Sequence, residues 1–395
     1  MSDPAGRSDG RAVPARRGGR PAGGRVAVVI AGGGTAGHVL PALAVAGALV
    51  ERGTPAAAIR FIGSRRGVEG EAVRRAGFEI ALLAGRGVER RISWAALVAL
   101  VGLTGASVRA AVLLARWRPA VVLSVGGYAA WPACAAALVL RVPLVLAEAN
   151  AVPGAANRIS ARWARAAAVA FPDTGLPRAV LTGNPVRPEV RGASRAPAAR
   201  ATARAELGLP DDRAVVVVTG GSLGARRVNE AVLELAERWA DRRDVAIHHV
   251  IGRRDWAGLA PRVEQLSASP AGLWYRAVPY EDRIPALLSA ADVWVGRAGG
   301  TTMAELTAVG VASLLVPLPI APHDHQAVGA RRLEAAGGCV VVLDADCSGA
   351  RLDGELGALL ADAGGLRKMA EAAAACGHPD AAERIAELLE EHRRD

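Results

Sequence analysis

The sequence predicts an α/β protein with two similar halves, each a doubly wound parallel sheet covered by helices. Short β-branched runs alternate with Ala/Leu-rich helical stretches, which is typical of parallel βαβ units. Each half opens with a strand that leads straight into a glycine-rich turn, at residues 26–31 and at residues 215–218. At 395 residues, the chain is long enough for two domains.

In the first half, four strands are predicted, at residues 26–31, 61–62, 121–124 and 142–147. A long helix is expected at residues 93–117, with Ser93 as its N-cap. The uncharged run at 119–140 is long enough to span a membrane, but glycine and proline interrupt it. We interpret it as a strand, a turn at Gly126-Gly127 and a helix.

The second half starts around residues 190–210, an Arg/Ala/Pro-rich stretch without a predicted strand that we interpret as a linker plus the entry to a second domain. Its predicted strands are residues 215–218, 245–251, 293–295, 314–316 and 340–343. A charged amphipathic helix is expected at residues 381–392. Residues 1–25 hold six Arg and six Gly without an apolar core, which indicates a flexible basic tail and no signal peptide.

The composition excludes several classes of protein. Apolar residues make up 51% and charged residues 22%, which argues against a disordered chain, a collagen-like repeat or a disulfide scaffold. The net charge of +10 comes almost entirely from arginine. With only 8 Trp, 3 Tyr and 3 Phe for base stacking, we expect phosphates or lipid head groups as partners and no nucleic acid. The four cysteines lack metal-site spacing and are interpreted as small buried residues.

The first glycine loop, residues 32–38, matches the GxGxxG pattern and ends in His38. Glycines let the backbone approach a ligand, and the following helix N-terminus favours an anion. A dinucleotide site is one interpretation, since Arg65-Arg66 after the next strand suits the 2′-phosphate of NADP. A tight structural turn is another.

Three further motifs indicate a cleft between the halves. A second glycine loop lies at residues 219–225, and residues 297–305 form a third turn that opens a helix. Glu305 in that helix could cap backbone amides, or its two oxygens could hold both hydroxyls of a ribose. Arg187, at the domain junction, is either a surface residue or a ligand for a diphosphate.

Together these motifs resemble the MurG family of N-acetylglucosaminyltransferases, glycosyltransferase family 28. The resemblance is carried by GGGTAGH, Gly126-Gly127-Tyr128, Glu148-Ala149-Asn150, GNPVR, GGSLGA and RAGGTTMAE, in that order, and covers about residues 25–393. It implies a GT-B fold, with two Rossmann-like domains facing a cleft. The implied domains are residues 26–186 for the acceptor and membrane, and 187–377 for UDP-N-acetylglucosamine, with residues 378–395 returning to the first domain.

The resemblance also implies which residues bind the substrates. Ser222 and Arg187 would contact the diphosphate, Glu305 the ribose, and Gln326 the sugar, while Glu281 lies near the uracil. The turn over the diphosphate would be formed by Gly300, Thr301, Thr302, Met303 and Ala304. The acceptor side would be lined by Thr35, Ala36, Gly37, His38 and Asn150.

The implied reaction is an inverting transfer to the C4 hydroxyl of lipid I, giving lipid II. It needs a base, for which His38 is the first candidate and Glu148 the second, although His38 could instead only orient the sugar. Backbone amides at residues 300–303 and Arg187 would meet the charge on the leaving UDP. No acidic pair lies in a phosphate loop, so no metal and no cofactor are expected.

The lipid acceptor implies peripheral contact with the cytoplasmic face of the cell membrane. Basic and apolar residues mix around one predicted helix, namely Arg86, Arg90, Arg91, Trp94, Leu97, Arg116, Trp117 and Arg118. An ordinary helix with one buried face is the alternative. Ala147, Ala149 and Gly329 depart from the family pattern. Three other functions therefore stay open: a related transferase with another acceptor, an NADP-dependent oxidoreductase and a non-catalytic sugar-nucleotide binder.

Overall fold

A computed structural model describes residues 26–34, 36–65, 69–84, 94–221, 224–267 and 272–394. It contains two parallel sheets of seven and six strands. The predicted basic tail, Thr35, Arg66, Arg86, Arg90, Arg91, Ser93 and Ser222 lie outside the described residues, as do the side chains of Ala36, Trp94 and Leu97.

The N-terminal sheet has the strand order β3-β2-β1-β4-β5-β6-β7. Its strands are β1 Val28–Ala31, β2 Ile59–Ser64, β3 Glu79–Leu83, β4 Val121–Ser124, β5 Leu144–Glu148, β6 Ala166–Val169 and β7 Ala179–Leu181. The helices between them are α1 Ala36–Glu51, α2 Glu69–Arg75, α3 Trp94–Trp117, α4 Ala130–Val139 and α5 Ala155–Ser160. Strands β1, β4 and β6 are buried along their whole length, as in a sheet covered on both faces.

The C-terminal sheet has the order β10-β9-β8-β11-β12-β13. Its strands are β8 Ala214–Thr219, β9 Val245–Val250, β10 Trp274–Val278, β11 Val293–Gly296, β12 Ser313–Leu315 and β13 Cys339–Val341. The remaining helices are α6 Pro188–Arg191, α7 Pro197–Leu207, α8 Arg226–Arg238, α9 Arg253–Ser267, α10 Ile284–Ala290, α11 Gly300–Val309, α12 His325–Ala335, α13 Gly349–Ala361, α14 Ala363–Ala375 and α15 Ala381–His392.

The strand order fixes where ligands bind. In both sheets the direction of winding reverses beside the first strand, between β1 and β4 and again between β8 and β11. Crevices at the carboxyl ends of such strands are the usual ligand sites of open α/β sheets. The glycine loops after β1, β8 and β11 all lie there. The two doubly wound sheets confirm the predicted fold class.

Residues 190–210 contain no strand, as expected, but much of the stretch that was expected to be a linker forms the packed helix α7. Pro197 stands at the first turn of α7, and Gly208 closes that helix with a φ of +64°. Leu207 is buried in the second core, and the Arg204 guanidinium is paired with Asp292 at 2.7 Å. The helix packs into the core of the second half through the buried side chains of Ala203 and Leu207.

Helix α15 lies on the first half of the molecule although it ends the chain. Ile385 and Leu389 pack into the same core as Val28 of β1. Arg52 at the end of α1 is paired with Glu390 at 2.7 Å and with Glu387 at 3.3 Å. We propose that the boundary between the two domains lies near residue 186 and that the C-terminal helix α15 packs on the N-terminal domain.

Gly127 gives a stability prediction. It has a φ of +81°, and a Cβ there would collide with the carbonyl oxygen of Gly33. We expect Gly127→Ala to lower the midpoint of thermal unfolding, through both the collision and the ~1–2 kcal/mol cost of a left-handed residue. Gly53→Ala is the matched control, since Gly53 has a φ of +95° with nothing within 4 Å of its Cβ position. Equal losses in the two variants would contradict the close approach of the two loops.

Candidate active site

The two halves meet where helix α11 begins. The Thr301 hydroxyl donates to the carbonyl oxygen of Gly37 at 3.5 Å, across the cleft. A Cβ on Gly300 would lie 2.9 Å from the carbonyl oxygen of Ala149, so only glycine fits this approach. The start of α11 therefore faces the loops after β1 and β5.

The first glycine loop is held by a carboxylate that the sequence did not single out. Both oxygens of Glu69 lie 3.2 Å from the amide of Gly34, and Oε1 also accepts from the amide of Ser64 at 2.7 Å. Glu69 is 2% exposed. A dinucleotide phosphate in the usual position on this loop would meet this negative charge, so the geometry argues against the NADP interpretation.

His38 lies two residues into helix α1, at the inner wall of the cleft. Its Nε2 atom lies 3.5 Å from the Cβ position of Gly126, an ordinary contact distance, so the ring packs against the loop after β4. Burial lowers the pKa of His38, and the nearby carboxylates Glu148 and Glu69 partly offset that effect. At neutral pH the imidazole is therefore the neutral form, which can accept a proton.

Glu148, at the end of β5, organises the acceptor-side loop. Its Oε1 accepts from the backbone amide of Asn150 at 3.1 Å and from the Asn150 side chain at 2.9 Å. Its Oε2 accepts from the amide of Gly154 at 3.0 Å and from Asn157 Nδ2 at 3.1 Å. With four donors around a buried carboxylate, Glu148 fixes the shape of the loop and the position of Asn150.

Asn157 is a second residue that sequence reasoning missed. This buried side chain accepts from the Ser124 hydroxyl at 2.8 Å and donates to Glu148 and to the carbonyl oxygen of Ala147. It thereby joins the loops after β4 and β5 beneath His38. A polar residue among small apolar ones in a short helix was the available signal, but it does not reveal the partners.

Arg187 and Glu305 form an ion pair on the other side of the cleft. The guanidinium Nε and Nη2 donate to Glu305 Oε1 at 3.3 and 3.1 Å. Burial raises the pKa of Glu305, while the charge of Arg187 opposes that rise. Glu305 thus pairs with Arg187 through Oε1 alone, whereas its Oε2 has no hydrogen bond to the part of the chain that the structure describes.

The start of α11 supplies main-chain donors. Gly299 precedes the helix in an extended conformation without a side-chain cap, so the first-turn amides, from Gly300 to Thr302, have no partner within the helix. Upstream, Arg297 anchors this turn by donating to Asp344 Oδ1 at 2.5 Å and to the carbonyl oxygen of Val316 at 3.2 Å. Amides at the start of a helix are favourable positions for an anion.

The second glycine loop is equally constrained. Gly221 and Gly224 both have a φ of +75°, and a Cβ on Gly224 would lie 2.8 Å from Asp255 Oδ2. The loop rests on Asn229, which donates to Asp255 at 3.1 Å and faces His249 Nε2 at 3.1 Å.

At the expected uracil end, Glu281 is paired with Arg283 at 2.8 Å, which lowers the pKa of that carboxyl group. Its side chain is 8% exposed and lies 3.9 Å from the buried His248. Gln326 Oε1 accepts from the amide of Leu318 at 3.0 Å. The low exposure of the Glu281 side chain and its closeness to His248 show that it faces inward.

Known proteins share both halves of this chain. Residues 28–169 match the model of the glycosyltransferase family 28 N-terminal domain, and residues 215–385 match that of the family 28 C-terminal domain. Relatives of this chain are named UDP-N-acetylglucosamine--N-acetylmuramyl-(pentapeptide) pyrophosphoryl-undecaprenol N-acetylglucosamine transferase. The protein of that name from Clavibacter michiganensis is 44% identical to this chain, over 68% of this chain and 70% of its own length. The one from Nocardioides sp. is 42% identical, over 81% and 85% of the two chains.

Solved structures share the architecture. The crystal structure of Acinetobacter baumannii MurG matches with a TM-score of 0.72 and 27% identity, covering 93% of this chain and 99% of that one. The glycosyltransferase of kitacinnamycin matches with a TM-score of 0.64 at 18% identity, covering 93% and 99% of the two chains, and that likeness concerns the fold alone.

Proposed function

Because this chain belongs to glycosyltransferase family 28, we propose that it transfers N-acetylglucosamine from UDP-N-acetylglucosamine to lipid I. The product is lipid II, formed through the C4 hydroxyl of the muramyl-pentapeptide. The geometry that supports this reaction best is the direct contact between the start of α11 and the first glycine loop. That contact brings an anion cradle and a neutral histidine to the same cleft.

The reaction is a single displacement that inverts the sugar carbon. The acceptor hydroxyl attacks C1 of N-acetylglucosamine, its proton passes to His38, and the bond from C1 to the diphosphate oxygen breaks. UDP departs with the negative charge that develops on that oxygen. Amides at the start of α11 and the Arg187 guanidinium would stabilise this charge, because fixed dipoles in a closed cleft need no reorganisation.

We assign Glu148 to positioning. All four of its close donors are N–H groups of its own loop and of Asn157, so a substrate hydroxyl would have to displace one of them. His38 lies beside Gly37 at the cleft wall, and burial lowers the pKa of its imidazole, so the ring is neutral and can accept a proton at neutral pH. Asn150, held by Glu148, is left to contact the acceptor sugar together with Gly37.

Donor binding would redistribute the Arg187–Glu305 pair. Glu305 takes the ribose diol, since two carboxylate oxygens match two vicinal hydroxyls, and Arg187 turns to the diphosphate. Ser222 would complete the diphosphate site from the second glycine loop. In the free protein Arg187 and Glu305 therefore neutralise each other, and nucleotide binding would separate them.

A product assay tests the proposed function. The chain would be incubated with UDP-N-acetylglucosamine and either a lipid I analogue or a second polyprenyl diphosphate sugar that lacks the muramyl group. We expect a β-linked disaccharide only on the lipid I analogue. Transfer only to the other acceptor would identify a related transferase instead, and donor binding without any product would identify a non-catalytic binder.

Helices α3 and α4 offer a surface for the membrane. They pack on each other and carry the exposed apolar side chains Val108, Val112, Leu138 and Val139. Arg116, Arg118 and Arg141 are exposed on the same two helices or just beyond them. Among the described residues, no helix is long and apolar enough to cross a bilayer. We propose that this surface holds the enzyme peripherally on anionic lipid, where the acceptor resides.

Removing an apolar contact from this surface should weaken lipid binding. Val112 is 62% exposed, so Val112→Asp leaves the fold intact while placing a negative charge against the lipid. We expect roughly tenfold weaker binding to phosphatidylglycerol vesicles, measured by co-sedimentation, with unchanged affinity for UDP. Leu343→Asp, at a 45% exposed position of the second domain, is the matched control. Equal binding by both variants would place the membrane surface elsewhere.

A further inference from the structure

A cavity of about 380 Å³ lies between the two halves, apart from the Arg187–Glu305 pair. Its first wall comes from the loop after β6 and from the end of β7, including Phe171 and Leu181. Its second wall comes from α11 and α12, including Met303 and Leu333. The size falls in the range of small-molecule sites.

The cavity and the ribose carboxylate face different sides of α11. Residues 300, 303, 304 and 307 line the cavity and follow the i, i+3, i+4, i+7 spacing of one helix face. At ~100° per residue, Glu305 points about 140–150° away from the centre of that face. An occupant of the cavity would therefore touch the helix without touching Glu305.

Gly329 keeps the cavity apolar. A Cβ at this position would lie 2.8 Å from Met303 Cε and 3.2 Å from Phe171 Cζ. The absence of a side chain lets the first domain's Phe171 and the second domain's Met303 meet over the helix α12 backbone. No polar group from this position enters the space.

Two buried donors face this apolar space without an acceptor in the described part of the chain. Arg332 stacks over the Phe171 ring at 5.6 Å and turns Nη2 toward Asp173 at 3.8 Å, while its Nη1 is buried and unbonded. Asn184 is 7% exposed, and its Nδ2 is likewise buried and unbonded. Unmet buried donors are costly, which favours an occupant that brings oxygen acceptors.

We propose that this cavity is a second ligand site, for a small carboxylate with an apolar body. The carboxylate would bond to Arg332 and Asn184, and the apolar body would fill the space between Phe171, Leu181 and Met303. Because residues of both halves form the walls, an occupant would contact both halves at once.

The test uses octanoate and 4-phenylbutyrate as probes of the full chain. We expect saturable one-to-one binding by calorimetry, with a dissociation constant of about 0.1–1 mM for a ligand of this size. The methyl ester of each acid should bind at least tenfold more weakly. Arg332→Gln should cause a similar loss, and Leu181→Trp, at a 37% exposed edge position, should fill the cavity.

Cys376 gives an independent readout in the unmodified protein. It lines the cavity and is exposed, whereas Cys134, Cys339 and Cys347 are buried. Saturating octanoate should slow its labelling by a maleimide severalfold in the native chain and not in Leu181→Trp. Lack of saturable binding, unchanged binding in both variants, or labelling insensitive to the probe would each overturn the proposal.

The donor itself must also be excluded as the occupant. Octanoate binding is measured with saturating UDP and with saturating UDP-N-acetylglucosamine. We expect neither nucleotide to displace the probe. Displacement by UDP-N-acetylglucosamine but not by UDP would show that the cavity belongs to the sugar of the donor and would overturn a separate site, while leaving the proposed transferase intact.

Discussion

The His38→Ala variant should lose roughly 10²- to 10⁴-fold in turnover while its affinity for UDP-N-acetylglucosamine stays close to the native value. A positioned general base contributes about that much to a rate. His38 belongs to the first glycine loop, whereas the residues expected to bind the donor lie across the cleft. Turnover is measured with a lipid I analogue, and donor binding by calorimetry.

The pH dependence separates a base from a residue that only orients the sugar. Burial lowers the pKa of His38, so its neutral form persists to lower pH than that of an ordinary histidine. The acid limb of kcat/KM should therefore have its midpoint below about 6.5, and His38→Ala should abolish that limb. His392→Ala, near the end of α15, is the matched control. An acid limb that survives in His38→Ala would assign the base to another group.

The central strands of both sheets could be predicted because their residues are β-branched and apolar. The edge regions could not. Strand β6 is Ala-Ala-Ala-Val and β3 begins with Glu79, so neither carries a strong strand pattern, and the neighbouring strands impose their conformation. The helix within residues 190–210 was not predicted, because its proline and arginine content is typical of a linker, whereas Pro197 and Gly208 stand at the two ends of α7.

In the candidate site, too, some features could be predicted from the sequence and others could not. Local motifs indicated glycine loops, a histidine and a carboxylate, since backbone freedom and residue type are written in the sequence. The pairing of Arg187 with Glu305 joins positions 118 residues apart, and Glu69 reaches Gly34 across 35 residues. Such contacts depend on the packing of the domains. The prediction that all four cysteines are buried is wrong for Cys376, which is exposed, because burial too depends on how the helices pack.

Glu305→Gln should weaken UDP binding by roughly 10- to 100-fold, the range expected for hydrogen bonds to a charged group. The amide keeps the size of the side chain but offers one acceptor in place of a carboxylate. It also releases Arg187, which no longer has to leave an ion pair before it meets the diphosphate. That release offsets part of the loss, so affinity for UDP alone underestimates the contribution of the ribose contact.

A ligand lacking the two ribose hydroxyls isolates that contact. We expect 2′,3′-dideoxy-UDP to bind the native protein much more weakly than UDP. This preference for UDP should shrink severalfold in Glu305→Gln, because the substitution and the missing hydroxyls remove the same interaction. Glu371→Gln, at an exposed site on α14, should keep the native preference. Since burial raises the pKa of Glu305, the preference should also fall with acidification, starting above the ordinary range of a glutamate. A preference for UDP that is unaltered in Glu305→Gln would remove the carboxylate from the ribose site.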